Sequence, residues 1–137
     1  MQGYNVIAVY DDKCEKLLMC KRSKNPYKGL LNLVGGKIEP NEQGIDAAYR
    51  ELQEETSITS EDINLTHLID FTYYIHNCYV EVYVGRLNKE VNVYGDENEL
   101  LWVDLNHNFF DMTKYAGEGN IGHIIEHIKM SKDLLLK

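Results

Sequence analysis

The 137 residues, 44% hydrophobic and 26% charged, fit one domain with a core of its own, expected to span residues 1–137, and exclude a disordered or low-complexity chain. A formal charge of -8 opposes binding to a nucleic acid polymer, which is held by clustered Lys and Arg, but leaves small phosphorylated ligands open where metal ions and local basic residues mask the repulsion. No apolar stretch approaches the roughly 20 residues of a membrane span, and MQGYNVIAVYDDK lacks the basic lead and cleavage site of a leader, so a cytoplasmic protein without membrane partners is expected.

Residues 4–10 (YNVIAVY) and 16–21 (KLLMCK) are β-prone runs on either side of Asp11, Asp12 and Lys13, which predicts a hairpin. Cys14, Cys20 and Cys78 form no CxxC pair, and their odd number argues for reduced thiols rather than a disulfide framework. A polar loop follows from Arg22 to Gly29. The strand LNLV (31–34) then runs into Gly35-Gly36, expected to break it.

From about Gln43 to Thr56 the apolar Ile45, Ala48, Tyr49 and Leu52, with Thr56, recur at three- and four-residue intervals, placing them on the core side of a helix. Residues 64–75 and 78–87, rich in Thr, Tyr, Val and Ile, predict a hairpin that turns at Asn77, and 99–105 (ELLWVDL) predict a further strand. A closing helix is expected from Asn120, as its cap, to Lys132, with Ile121, Ile124, Ile125 and Ile128 buried. Together these elements describe an α/β (α+β) sandwich, a mixed β-sheet with helices on both faces.

The polar side of the first helix carries the chemistry. At about 100° per residue, Glu51, Glu54 and Glu55 fall within one arc of roughly 100°, opposite the apolar stripe. Glu51 and Glu55, four apart, repel by a few tenths of a kcal/mol, on the order of 0.2–0.5, and Glu39 and Glu42 add charge upstream. Such a face asks for a cation. Hard divalent ions, Mg²⁺ or Mn²⁺, suit an incomplete cage of oxygen donors that leaves room for water and phosphate.

The spacing Gly36, five residues, Glu42, seven residues, then Arg50-Glu51-Leu52-Gln53-Glu54-Glu55-Thr56-Ser57-Ile58 resembles the Nudix box, departing only at Ser57, where the family has Gly. That Gly ends the helix, often with positive φ, so Ser57 is expected to cost stability and to touch no ligand. The resemblance implies a Nudix-like sandwich and a metal-dependent pyrophosphohydrolase. By position, Glu51, Glu54 and Glu55 match residues that hold Mg²⁺ or Mn²⁺, one of them often deprotonating the attacking water. The Gly35 carbonyl matches a further ligand, and Arg50 the arginine that orients a glutamate. Glu51, Glu54 and Arg50 are thus the candidate catalytic residues. Asp96 and Glu99 precede Trp102 where the family often places another acidic ligand or base, with a plain polar turn as the alternative.

The resemblance extends to the substrate. Asn32, three residues before Gly35, is similar to the asparagine that reads the base in the branch of 8-oxo-dGTP diphosphatases; the alternative is that it bonds backbone at a strand end. Glu118, in DMTKYAGEGN (111–120), is similar to an acidic residue of that branch's far pocket wall, and Lys21 and Arg22 resemble basic residues that meet distal phosphates. Tyr27, Phe109, Phe110 and Tyr115 are candidates for base stacking or for core. His123-Ile124-Ile125-Glu126-His127 fits the HxxEH of inverted zinc proteases, but such sites need further ligands, and the two histidines are expected to border the isoleucine stripe. The leading expectation is conversion of a nucleoside triphosphate, with oxidised purines included, to monophosphate and pyrophosphate. ADP-ribose or a nucleotide sugar is the alternative substrate class, and a non-catalytic nucleotide sensor the alternative role. Many members of the family pair, so a homodimer is carried with the resemblance.

Overall fold

The structure, a computed structural model, describes all of residues 1–137. Seven strands form one sheet: β1 (Gln2–Tyr10), β2 (Lys16–Lys21), β3 (Leu31–Asn32), β4 (Val34–Lys37), β5 (Thr66–Tyr73), β6 (Cys78–Arg86) and β7 (Glu99–Asp104). The helices are α1 (Gly44–Thr56), α2 (Asn120–Met130) and the short α3 (Lys132–Leu135). The sheet is mixed, because β1 runs parallel to β6, from Gln2 opposite Cys78 to Tyr10 opposite Arg86, while the other pairings are antiparallel.

Alternation along β1 explains the two layers. Ile7 and Val9 point to one face and join Leu18, Val34, Leu52, Ile58 and Tyr83 beneath α1. Ala8 and Tyr10 point to the other, where Leu17, Met19, Val82 and Val84 meet the isoleucine stripe of α2. Ile121, Ile124, Ile125 and Ile128 are 1–3% exposed, and each such side chain contributes roughly 1.5–3 kcal/mol by leaving water. Helices therefore cover both faces of the sheet, as the sequence predicts.

The first predicted hairpin forms but is splayed. Asp11 Oδ1 accepts the N–H groups of Glu15 and Lys16 and makes the turn, but β1 and β2 pair only where Tyr10 meets Leu17 and then diverge. Residues 31–37 enter this fork. Asn32 pairs with Cys20 on β2, and after Leu33 the chain changes partner, so that Val34 pairs with Ile7 on β1. Gly35-Gly36 consequently does not break the strand but lies inside β4. At Gly35 any Cβ would strike the Asn5 carbonyl, so the missing side chain is what permits pairing this close.

Smaller differences lie at the helix ends. The helix α1 begins at Gly44, with Gln43 as N-cap and no side-chain cap, and Ala47 joins Ala48, Leu52 and Thr56 on its buried side. Ser57 closes it at φ 69°, the left-handed conformation expected where the Nudix pattern has Gly. Gly119, at φ 91°, caps α2. Asn120 is not the cap but the first helical residue, because its amide is used elsewhere, donating to the Tyr73 hydroxyl. The helix stops at Met130, and α3 continues after Ser131. In the β5–β6 hairpin, Asn77 takes the turn at φ 52°, and β5 has a bulge between His67 and Ile69. No helix is long and apolar enough to cross a membrane.

Candidate active site

The polar face of α1 is organised by one guanidinium. Arg50 Nε and Nη2 donate to the two carboxylate oxygens of Glu42 at 2.7 and 2.8 Å, Nη1 donates to Glu51 at 3.0 Å and to Glu54 at 3.3 Å, and Nη2 also reaches the Lys37 carbonyl at 3.0 Å. The fork geometry suits this task, since a planar guanidinium with several fixed donors can bind one carboxylate in bidentate fashion and still meet others. Glu42 also accepts the Glu39 N–H at 2.9 Å, and these bonds, chiefly those from Arg50, hold its carboxyl down to about 2. The loop between β4 and α1 is thereby tied to the middle of the helix. In the sequence Glu42 stands out both as added charge and as a fixed position of the motif, and that fixed position is the signal that it has a structural partner.

The three glutamates differ in environment. Glu51 is more enclosed than Glu54, with its side chain 13% exposed against 59%. Its carboxylate sits directly on Gly36, in space that any Cβ at that position would occupy. Burial raises the Glu51 carboxyl despite the Arg50 contact, and burial with the adjacent Glu51 charge raises Glu55 to about 7. Two carboxylates pushed toward protonation beside a third describe a site that is short of positive charge.

These side chains line a cavity of about 620 Å³ together with Gly35, Asp96 and Arg22. Asp96 arrives there because the loop before β7 is fastened to the end of α1. The Tyr94 N–H donates to the Thr56 carbonyl at 3.1 Å, the Ser57 hydroxyl donates to the Tyr94 carbonyl at 3.0 Å, and a Cβ on Gly95 would collide with the Glu55 carbonyl. Asn98, in turn, accepts the N–H and hydroxyl of Ser23, fixing the residue beside Arg22. The donor set of the cavity is all oxygen, from carboxylates and a backbone carbonyl region, and it fits a hard divalent cation.

A second cavity of about 520 Å³ is mostly apolar and aromatic, with Phe71, Tyr73 and Tyr27 in its wall beside Asn32 and Glu118. Its size suits a small organic ligand. Asn32 Oδ1 accepts the Leu33 N–H at 2.9 Å, so its oxygen serves the strand end, while its NH₂ has no partner in the chain. The Tyr27 hydroxyl donates to the Glu118 carboxylate at 2.7 Å, and burial with that bond pushes the Tyr27 hydroxyl up to about 12. One hydrogen bond, from Arg22 Nε to the Pro26 carbonyl at 3.0 Å, links the walls of the two cavities, since Arg22 lines the first and Pro26 the second.

The structure thus brings Gly35, Glu51, Glu54, Glu55, Asp96 and Arg22 to one cavity, and Asn32 and Glu118 to the other. Lys21 and Glu99 line neither. They face each other as exposed ends of β2 and β7, and strand alternation that points Cys20 and Leu100 toward the α1 side directs these two away from it. Among the aromatic candidates, Phe109 and Tyr115 are core, at 4% and 3% exposure, and Phe110 is half exposed; only Tyr27 reaches a cavity. The far wall of the second cavity is made by Phe71, Tyr73 and His76 on the β5–β6 hairpin, residues that no local motif in the sequence marks. A separate group of donor atoms, from His67, Asp70 and Glu81, lies within 4.8 Å on β5 and β6, outside both cavities.

The sandwich and its carboxylate helix define a recognised class. Residues 1–122 match the family described as NUDIX domain, and the chain belongs to that family. Nudix hydrolases generally use divalent metal ions. The chain is similar to an ADP-ribose pyrophosphatase of Methanocaldococcus jannaschii, 43% identical over 47 residues, 34% of this chain and 28% of that protein. It is also similar to the 8-oxo-dGDP phosphatase NUDT18 of Mus musculus, 32% identical over 62 residues, 45% of this chain and 19% of that protein. The matched part therefore spans less than a third of the length of either curated relative. Among solved structures, a Caenorhabditis elegans Ap4A hydrolase has the same fold, with a TM-score of 0.77 at 18% identity, covering 97% of this chain and 98% of that one.

Proposed function

We propose that this chain hydrolyses the diphosphate link of a nucleotide, with a nucleoside triphosphate, oxidised purines included, as substrate and a monophosphate and pyrophosphate as products. The observation that carries this reading is the convergence of Glu51, Glu54, Glu55, Asp96 and the Gly35 backbone on one polar cavity joined through Arg22 to an apolar, aromatic one. A phosphate chain belongs in the first and a base in the second. Mg²⁺ or Mn²⁺, held by Gly35, Glu51, Glu54, Glu55 and Asp96, would supply Lewis acidity to the phosphate oxygens and acidify a water.

The protein's own groups divide the remaining work. Arg50 holds Glu51 and Glu54 in place. Glu54, the more exposed of these two and the one with the weaker tie to Arg50, is the group we assign to take a proton from the attacking water. Arg22 is positioned to meet phosphate oxygens. Asn32 offers a free NH₂ and Glu118 a carboxylate to a purine edge, with Tyr27 holding Glu118.

A second reading, a diphosphate linked to ribose as in ADP-ribose, is favoured by the 43% identity to the M. jannaschii relative of that name. Incubation with Mg²⁺ and a panel of nucleoside triphosphates, 8-oxo-dGTP, ADP-ribose and nucleotide sugars separates the two by product chromatography. Pyrophosphate from a triphosphate supports the first, and two monophosphates from ADP-ribose the second. Tight binding of one compound with no turnover of any would make the chain a sensor and overturn both.

A further inference from the structure

His123 and His127 lie on the outer side of α2, one turn apart on the same face. Their Nε2 atoms converge to 2.9 Å, with ring centroids 4.6 Å apart and ring planes at 67°. Such a pair is held together either by a single shared proton, one nitrogen donating and the other accepting, or by an ion bound to both. The separation suits the second as closely as the first. With metal–nitrogen bonds of about 2.0–2.1 Å, nitrogens 2.9 Å apart subtend about 90° at the ion, whereas a tetrahedral ion would spread them to roughly 3.3 Å. A right angle is the cis arrangement of square-planar and octahedral coordination, the preference of Cu²⁺ and Ni²⁺ with imidazole donors.

The surroundings hold the pair in this geometry and disfavour the protease reading of the same motif. Ile124, Ile125 and Ile128 are buried and fix the helix against the sheet, and Phe71 backs the His123 ring at 5.8 Å. Glu126, the remaining residue of the HxxEH pattern, pairs with Lys129 at 3.2 Å instead of approaching the imidazoles. What is left is a two-nitrogen chelate with its other coordination positions open to water.

We propose that His123 and His127 form a bidentate site for a tetragonal transition-metal ion, Ni²⁺ or Cu²⁺, separate from the carboxylate cavity. The test titrates Ni²⁺ into the full chain with Mg²⁺ in large excess, follows heat by calorimetry, and maps paramagnetic broadening of backbone amide signals. One equivalent of Ni²⁺ with broadening centred on α2 is expected, with affinity about tenfold or more weaker in His123→Gln and His127→Gln and retained in His67→Gln. A readout on the unaltered protein is protection by Ni²⁺ of His123 and His127 against acylation by diethyl pyrocarbonate, read by mass spectrometry. No Ni²⁺ uptake, unchanged affinity in His127→Gln, loss in His67→Gln, or protection of other histidines alone would overturn the proposal.

Discussion

Arg50 and Glu42 are joined by two hydrogen bonds, at 2.7 and 2.8 Å, and this pair ties the loop after β4 to the helix that carries the carboxylates. Because the same guanidinium also holds Glu51 and Glu54, its removal leaves three carboxylates without their common partner. Arg50→Ala should lower kcat about 100-fold, the scale of a misplaced catalytic group, and lower Tm. Arg50→Lys should recover little, since a single ammonium cannot span Glu42, Glu51 and Glu54 at once. Steady-state kinetics and thermal melts of the two variants check both points.

Glu54→Gln keeps the size of the side chain and removes its basicity. Turnover should fall by about two orders of magnitude or more with Tm little changed, the scale expected when acid-base or metal assistance is lost. Near-normal rates would remove Glu54 from the mechanism.

The carboxyl of Glu55 predicts a pH dependence of the metal-free protein. Its value is raised to about 7, chiefly by burial, so between the ordinary carboxylate range and pH 7 the folded state binds more protons than the unfolded state. Stability should be greatest below about pH 4.5 as far as this group is concerned and fall as pH rises from there through 7, by at most roughly 3–4 kcal/mol. Saturating Mg²⁺ should remove that decline. Denaturant melts at pH 5 and pH 8, with chelator and with Mg²⁺, measure it.

What the sequence makes legible follows from the range of each signal. The box helix, the isoleucine stripe of α2 and the left-handed Ser57 are local, written within a few residues, and Glu51, Glu54 and Glu55 share a face by helix geometry alone. Partner choice is not local. Nothing in YNVIAVY and KLLMCK says that the strands diverge, or that residues 31–37 change partner at Leu33 and carry Gly35-Gly36 into the sheet. The residue type of Asn120 favours a cap, yet Tyr73, 47 residues away, takes its amide. Lys21 and Arg22 both resemble basic residues that meet distal phosphates, but the pleat sends neighbours to opposite faces, and Arg22 alone lines the carboxylate cavity. The wall formed by Phe71, Tyr73 and His76 exists only once the hairpin has folded beside α2.

Ser57 offers a test of the fold that leaves the chemistry aside. At φ 69° a serine is tolerated, and its hydroxyl gains the Tyr94 carbonyl, but a β-branched apolar residue loses both advantages. Ser57→Val should destabilise by about 2 kcal/mol, while the Tyr94 N–H bond to the Thr56 carbonyl still ties down the loop that carries Asp96, so the folded fraction keeps most of its metal affinity. Chemical denaturation combined with metal titration separates the two effects.

In the second cavity, Tyr27→Phe frees the Glu118 carboxylate from its only hydrogen-bond partner, and Glu118→Gln removes the charge. Both should raise KM for the base-bearing substrate about tenfold, on the scale of one lost charged hydrogen bond, and leave kcat within a few fold. A fall in kcat with KM unchanged would place these residues in the chemistry instead of in base recognition.

The most direct measurement is calorimetric titration of Mg²⁺ or Mn²⁺ into the protein with a non-hydrolysable nucleoside triphosphate analogue present and absent, repeated on Glu51→Gln/Glu54→Gln. Divalent ion uptake that tightens with the analogue and is lost in the double variant is expected. Uptake that is absent, or identical in the double variant, would contradict the proposed function.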